Sequence, residues 1–370
     1  MFKYILLVSL LVITPALADE AADKADFKRL YAEFNDLYAN SDAIDPIIIV
    51  AEKLYTLAPI TFSKNSNNAA VTTYNLASLY DEKGGTTANA DESKAFELYE
   101  EYFAIQKTLK APIDENYMMH YLALVNDEYN SQTYRSKGKY AKNLAKIVPK
   151  IDAPDETKAD IFYIIAKQRY DRRNYKDAMQ YYNAAKQHYV KAFGKNHPKV
   201  GAILYWTARV NAQRKKNKDA LKSFQAAIDI LDKSDAENDI AMVLLSHETL
   251  IKIHSRKGDL DKATVHCLAY AYKRPEGTKG YRNPIYNIFP DLPQNAYSSK
   301  VGESVTAIVE YDVDENGYTK NITVHSSDNN TVERTAINAV KKYRYAPNIV
   351  DGKPKSMTGF QQTFTYTRSG

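Results

Sequence analysis

Residues 305–313 carry apolar side chains at every second position, with mostly polar side chains between them. This period of two is typical of a strand that buries one of its faces. The turn sequence Asp314-Glu315-Asn316-Gly317 follows directly, and Asn-Gly tolerates the positive φ that a tight hairpin requires. We therefore expect a second strand over about residues 318–325, folded back on the first.

A helix and one more strand are predicted after the hairpin. Apolar residues recur from 332 to 343 at the spacing of one helix face, and Asn330 or Thr331 is placed to cap the helix start. From 359 to 367 aromatic residues again alternate with polar ones, which predicts a strand. The C-terminal part should therefore be a small α+β domain in the order strand, strand, helix, strand.

This region resembles the C-terminal domain of TonB-family energy transducers in the order and spacing of many short motifs. The matching positions are Pro293, Ala296, Gly302, Gly317, Ala336, Tyr343, Arg344, Tyr345, Pro347 and Gly352. The family usually has Tyr-Pro where this chain has Leu292-Pro293, and Trp-Arg-Phe or Trp-Arg-Tyr where this chain has Tyr-Arg-Tyr. The alternative is an unrelated small α+β domain that contains a similar hairpin.

The resemblance implies a way of binding partners. In the TonB family the last strand of this domain accepts a short peptide from an outer-membrane transporter as an added strand, and inner-membrane energy is transmitted through that contact. Main-chain hydrogen bonds supply the affinity in such strand addition. The partner-binding positions that the resemblance implies in this chain are Gln361, Gln362, Thr363, Phe364 and Thr365.

Two segments in the middle of the chain repeat with an offset of 42 residues. The paired positions are Ala166 with Ala208, Ala178 with Ala220, and Tyr182 with Phe224. This pattern resembles tetratricopeptide (TPR) repeats, in which a small residue lets the neighbouring helix approach and an aromatic residue fills the space between helices. We therefore predict TPR-like packing at these six positions.

Weaker copies extend the pattern from about residue 22 to residue 272, which gives five or six helix pairs. A helix pair cannot bury its own apolar face, so stacking of the pairs into an all-α solenoid is expected. The alternative for the N-terminal half is an irregular helical bundle.

The first 18 residues predict a secretory signal peptide. A short positive start precedes an apolar run at 4–13, and Ala16-Leu17-Ala18 is a small-residue cleavage pattern. The apolar run is shorter than the ~20 residues of a spanning helix. The alternative is a retained anchor, as in typical TonB proteins, but their longer hydrophobic helix and proline-rich spacer are not found here. We expect cleavage after Ala18 and a periplasmic location in a Gram-negative bacterium.

The chain is therefore divided into four expected parts. They are a signal peptide at 1–18, a TPR-like helical domain at 19–273, a linker at 274–288 and a TonB C-terminal-like domain at 289–370. The linker contains prolines and glycines and is locally basic. Because it is short, we expect the two folded domains to remain close neighbours.

Composition and motifs give no indication of catalysis. The 50 basic and 45 acidic residues are spread along the chain, which is not typical of a nucleic-acid-binding protein. Cys267 is the only cysteine, stands at a packing position of the repeat and excludes an intramolecular disulfide. His247 and His254 are seven residues apart, too far to share one metal ion without a third ligand between them. We expect no enzyme, no cofactor and no metal site.

Two functions remain open. The first is a periplasmic adaptor of the TonB family, accessory to TonB-dependent outer-membrane transport, which binds transporter peptides by strand addition and other proteins, such as inner-membrane motor components, through the solenoid. The second is a periplasmic scaffold whose C-terminal domain binds another protein or cell-wall material unrelated to transport. No nucleic acid is expected among the partners, no membrane span is expected after signal cleavage, and the oligomeric state is left open.

Overall fold

The computed structural model describes residues 18–84, 90–130, 138–275, 282–298 and 300–368. Almost all of the expected signal peptide, and residues 276–281 of the expected linker, lie outside the described residues. The chain divides into two compact units, Met1–Gln168 and Arg169–Gly370. Helix α7 (Asp155–Asp171) runs across the boundary between them.

In the first unit, consecutive helices before α7 pack against one another along the chain. Its helices before α7 are α1 (Ala18–Asn40), α2 (Ile44–Phe62), α3 (Asn67–Gly84), α4 (Ala90–Thr108), α5 (Glu115–Asn130) and α6 (Lys139–Ile147). Aromatic side chains fill its grooves, as where His120 lies between Tyr74 and Tyr102 with ring centroids 4.1 and 5.6 Å away. The N-terminal half thus forms helix pairs.

In the described residues, the second unit contains five helices after α7 and then a small sheet domain. Its helices after α7 are α8 (Tyr175–Phe193), α9 (Pro198–Gln213), α10 (Asn217–Leu231), α11 (Glu237–Lys257) and α12 (Leu260–Lys273). Consecutive helices from α8 to α12 pack against one another. The prediction of TPR-like helices followed by a small α+β domain is confirmed.

The structure places the repeated residues in the contacts between helices. Ala166, Ala178, Ala208 and Ala220 are fully buried, as are the two aromatic residues of the repeat, Tyr182 and Phe224. Gly201 of α9 lies so close to α10 that an added Cβ would meet Leu231 Cδ2 at 2.7 Å. Small residues therefore set the helix spacing.

Enlarging the repeat alanines should destabilise the fold. We expect Ala178→Leu and Ala220→Leu each to lower the free energy of unfolding by roughly 1–3 kcal/mol, because the extra methylenes have no space between the helices. Ala192→Leu is the control, since Ala192 is exposed near the end of α8. Urea unfolding measures all three, and equal, negligible changes would contradict this packing.

The C-terminal domain is built on a three-stranded antiparallel sheet. Its strands are β1 (Ser304–Val313), β2 (Thr319–Ser327) and β5 (Met357–Thr367), in the spatial order β2-β1-β5. Helix α13 (Asn330–Val340) packs against β1 and β2. One sheet face and this helix enclose a core that includes Val309, Ala336 and Phe364.

Two details differ from the sequence prediction. The cap of α13 is Asn329, not Asn330 or Thr331: its Oδ1 accepts the N–H groups of Thr331 and Val332 at 3.0 Å each. A small hairpin, β3 (Asn348–Val350) with β4 (Lys353–Lys355), lies between α13 and β5 and was not predicted. Three-residue strands are too short to show an alternating pattern.

Candidate partner-binding edge of the C-terminal domain

Strand β5 is an edge strand of the sheet. On one side it pairs with β1 in antiparallel register, with Ala307 opposite Phe364 and Glu310 opposite Gln361. On its other side no strand of the described residues pairs with it. An unpaired strand edge carries a row of N–H and C=O groups that can bind another extended chain. We call this row the β5 edge.

The register identifies which main-chain groups face outward. The N–H of Arg368 donates to the carbonyl of Glu303 at 3.2 Å, so Arg368 points its amide toward β1. On the far side of β1, Asp328 donates its N–H to the carbonyl of Thr306 at 3.0 Å, which places the Thr306 main chain toward β2. Antiparallel pairing alternates these directions residue by residue. The residues whose amides point away from β1 are Gln361, Thr363, Thr365 and Thr367.

This alternation separates the five implied partner-binding residues into two groups. Gln361, Thr363 and Thr365 expose their side chains and present their main chain along the β5 edge. Gln362 and Phe364 turn their main chain toward β1, and Phe364 is fully buried against the core. The sequence resemblance did not include Thr367, which the register adds to the first group.

Aromatic residues support β5 from the core. Tyr311 stacks on Phe360 with ring centroids 5.7 Å apart, and its hydroxyl lies 2.8 Å from that of Tyr345. Burial raises the pKa of Tyr343 to about 12 and also raises the pKa of Tyr345. These phenols therefore stay neutral at physiological pH and act as hydrogen-bonding core residues beneath β5.

The hairpin turn is fastened to the residues after α13. Gly317 has φ +80°, and its carbonyl accepts the N–H of Tyr345 at 3.0 Å. A Cβ on Gly317 would stand 2.1 Å from the Tyr345 carbonyl oxygen. Gly302 and Gly352 also have positive φ, of +85° and +69°, but open space around their Cα atoms. Of these three family-motif glycines, only Gly317 combines a left-handed backbone with a close approach.

Arg344 joins the C-terminal domain to the last repeat helix. Its side chain is fully buried, and Nη2 donates to Thr264 Oγ1 of α12 at 2.6 Å. The guanidinium carbon lies 3.5 Å from the ring centroid of Tyr318, which is a cation–π contact. Thr264 in turn donates to the Tyr318 hydroxyl at 3.0 Å. These contacts join the start of β2 and the segment after α13 to α12, and β5 takes no part in them.

The remaining family-motif residues are buried in the domain or connect its segments. Ala336, Tyr343, Tyr345 and Pro347 are buried. Pro293 precedes a single 3-10 turn, and the carbonyl of Ala296 accepts Asn329 Nδ2 at 3.1 Å. This contact ties the segment before β1 to the start of α13.

The single cysteine is buried in the repeat region. Cys267 of α12 is fully enclosed, and burial raises the pKa of its thiol to about 11, although neighbouring Arg344 acts in the opposite direction. A thiol with so high a pKa is protonated and unreactive at neutral pH. Its position matches the packing role expected from the repeat.

Three histidines meet between α11 and α12. The Nδ1 atoms of His247 and His266 lie 3.0 Å apart, and the ring of His254 stacks on that of His266 at 5.7 Å. Burial lowers the pKa of both His247 and His266 to about 4. No group of three metal-ligating side chains in the described residues is arranged to hold an ion.

The buried histidines predict acid sensitivity. Their folded-state pKa values lie below the ordinary value near 6.5, so the unfolded chain binds protons first as the pH falls. The contribution of these two groups to stability should be constant above pH ~6.5 and decrease toward pH ~4, by up to about 3 kcal/mol for His247. Melting temperatures of the parent and His247→Gln between pH 7.5 and 4.5 test this. A slope that is identical in both proteins would contradict it.

Stacked helical repeats offer long surfaces for binding other proteins, and a sheet with an unpaired edge can bind an extended peptide. The fold and the β5 edge therefore define a protein that binds other proteins. The family model of the Gram-negative bacterial TonB protein C-terminal region matches residues 290–367. This segment is therefore a TonB C-terminal domain, which confirms the resemblance on which the edge assignment was based.

The chain is similar to several solved structures, among them proteins with TPR repeats. BtubC from P. vanneervenii is 16% identical, with 65% of this chain and 97% of that chain covered and a TM-score of 0.46. The C-terminal part of a TPR repeat-containing protein from Cytophaga hutchinsonii is 17% identical, with 70% and 97% covered and a TM-score of 0.43. No curated protein matches the chain. In the described part of the chain, no helix combines the length and apolarity of a membrane span.

Proposed function

We propose that this protein is a periplasmic adaptor of the TonB family, accessory to TonB-dependent outer-membrane transport. Its β5 edge receives an extended peptide from a transporter as an additional strand, and its helical repeats bind a second protein. The single observation that carries this proposal is the unpaired β5 edge within a TonB C-terminal domain, with four outward main-chain positions from Gln361 to Thr367.

The location of the α12 contact supports this role. Arg344 and Tyr318 hold the domain on the last repeat helix through bonds that do not use β5, whose outer side pairs with no strand of the described residues. A peptide bound at the edge is thereby connected through the sheet and Arg344 to the repeat region. Such a connection suits an adaptor that couples two partners.

The N-terminal sequence and the domain family support a periplasmic location. A secretory signal peptide at residues 1–18 would export the chain, and TonB domains act in the periplasm of Gram-negative bacteria. An exported form without an anchor needs a second partner for motor coupling, and the repeats are the surface for it.

Site-specific crosslinking in cells tests the proposal. A photo-crosslinking amino acid at Thr363, exposed on β5, should capture an outer-membrane transporter through its N-terminal segment. The same group at Asn338, exposed on α13, is the control and should not. Capture of a transporter at Thr363 supports the adaptor. Reproducible capture there of cell-wall material or of a protein unrelated to transport contradicts it and favours the scaffold.

A further inference from the structure

Two side chains that precede the matched family segment border the β5 edge. Arg282 and Phe289 both lie before residue 290, where the family match begins. Both are exposed, and both contact β5 residues whose side chains lie on the core face of the sheet. Arg282 and Phe289 therefore lie beside the β5 edge but outside the segment that the family model matches.

Arg282 places a positive charge beside the start of β5. Its guanidinium carbon lies 4.1 Å from the ring centroid of Phe360, and Nη2 donates to the carbonyls of Thr358 and Gly359 at 3.1 and 2.8 Å. Both acceptors are neutral carbonyl oxygens, so these bonds do not neutralise the positive charge of Arg282. The charge can therefore attract an anionic ligand. The contacts of Arg282 to main-chain carbonyls hold the guanidinium in place at the edge.

Phe289 provides an apolar surface further along the same strand. Its ring centroid lies 5.5 Å from that of Phe364 and 4.9 Å from that of Tyr366, yet 59% of the residue is exposed. One part of the ring therefore rests on β5 and the rest faces solvent beside the edge. Burial of that remainder by an incoming apolar side chain would be favourable.

The period of a strand fixes the spacing of the ligand's side chains. An added strand places every second side chain on the core face, where the positions opposite Phe360 and Phe364 lie beside Arg282 and Phe289 respectively. These two positions are four residues apart along the strand, or ~13 Å at ~3.3 Å per residue. A spacing of three would place the two side chains on opposite faces.

We propose that Arg282 and Phe289 make the β5 edge selective for an extended peptide that carries a carboxylate side chain and an apolar side chain four residues apart. The carboxylate meets Arg282 and the apolar side chain covers Phe289. This inference rests on the proposed strand addition, and adds to it the side-chain chemistry of the partner.

Designed peptides test the selectivity on the full chain. The probes are labelled ten-residue peptides of threonine and serine with one Glu and one Leu, either four or three residues apart, in both orders. Their composition is identical, so only the face on which the side chains fall differs. Fluorescence anisotropy should show at least tenfold tighter binding for one spacing-four peptide than for both spacing-three peptides.

Variants connect the preference to the two residues. Arg282→Glu should reverse the preference, so that a spacing-four peptide with Lys in place of Glu binds best. Phe289→Ser should lower the affinity for the spacing-four peptide to that for the spacing-three peptides. Lys353→Glu changes an exposed charge on β4 and is the control, with the parental preference expected. Melting curves confirm that each variant is folded.

The outcomes separate this inference from the proposed function. If both spacings bind equally and Thr363→Pro abolishes both, the edge accepts strands without this selectivity, and the inference is wrong while strand addition stands. If the preference survives Arg282→Glu and Phe289→Ser, other residues cause it and the assignment is wrong. If no peptide binds at millimolar concentration, strand addition at β5 and the inference are both overturned.

Discussion

Gly317→Ala should unfold or severely destabilise the C-terminal domain. The added Cβ would stand 2.1 Å from the Tyr345 carbonyl oxygen, a backbone atom that cannot rotate away, and φ at this position is +80°. The hairpin would have to move off Tyr345 and lose the bond from its N–H to the Gly317 carbonyl. We expect a loss of more than about 3 kcal/mol.

Gly352→Ala is the matched control for this prediction. Gly352 also has positive φ, at +69°, but no atom lies within 4 Å of an added Cβ. Its substitution should cost only the backbone strain, about 1–2 kcal/mol. Urea unfolding followed by tyrosine fluorescence and circular dichroism compares the two variants with the parent. Equal losses would mean that close approach to Tyr345 does not determine the effect.

Proline on the β5 edge should abolish capture of the partner while the domain stays folded. The amide of Thr363 points away from β1, so Thr363→Pro removes no hydrogen bond of the sheet, but it removes a donor and places a ring where an added strand must lie. We expect transporter N-terminal peptides to bind the full chain at least about 100-fold more weakly, equivalent to about 2.7 kcal/mol.

Two further substitutions show whether the main chain causes the loss. Thr363→Ala keeps the amide and should retain affinity within about threefold, because main-chain bonds dominate strand addition. Phe364→Pro removes an amide that faces β1, and should unfold the domain instead. A folded Thr363→Pro variant with parental affinity would refute binding at this edge.

The sequence predicts the parts of the fold that depend on local pattern. The period of two gave β1 and β5, Asn316-Gly317 gave the hairpin, and the 42-residue offset located the buried alanines of the repeat. The resemblance in many short motifs located the TonB domain. Each of these signals lies within a short stretch of chain or repeats regularly.

The rest depends on contacts between residues far apart in the chain. Arg344 follows α13 and two lysines, where a solvated charge is the ordinary expectation, yet it is buried against Thr264, 80 positions earlier. The roles of Arg282 and Phe289 beside β5 likewise arise only when their segment folds back on the sheet. The direction of each β5 amide required the pairing register with β1.

Residue-resolved hydrogen exchange of the full chain with saturating transporter peptide tests strand addition at β5 most directly. We predict that the amides of Gln361, Thr363, Thr365 and Thr367 become protected on binding, while those of Gln362 and Phe364, already bonded to β1, change little. A peptide that binds and leaves all four outward amides exchanging at their free rate would contradict it.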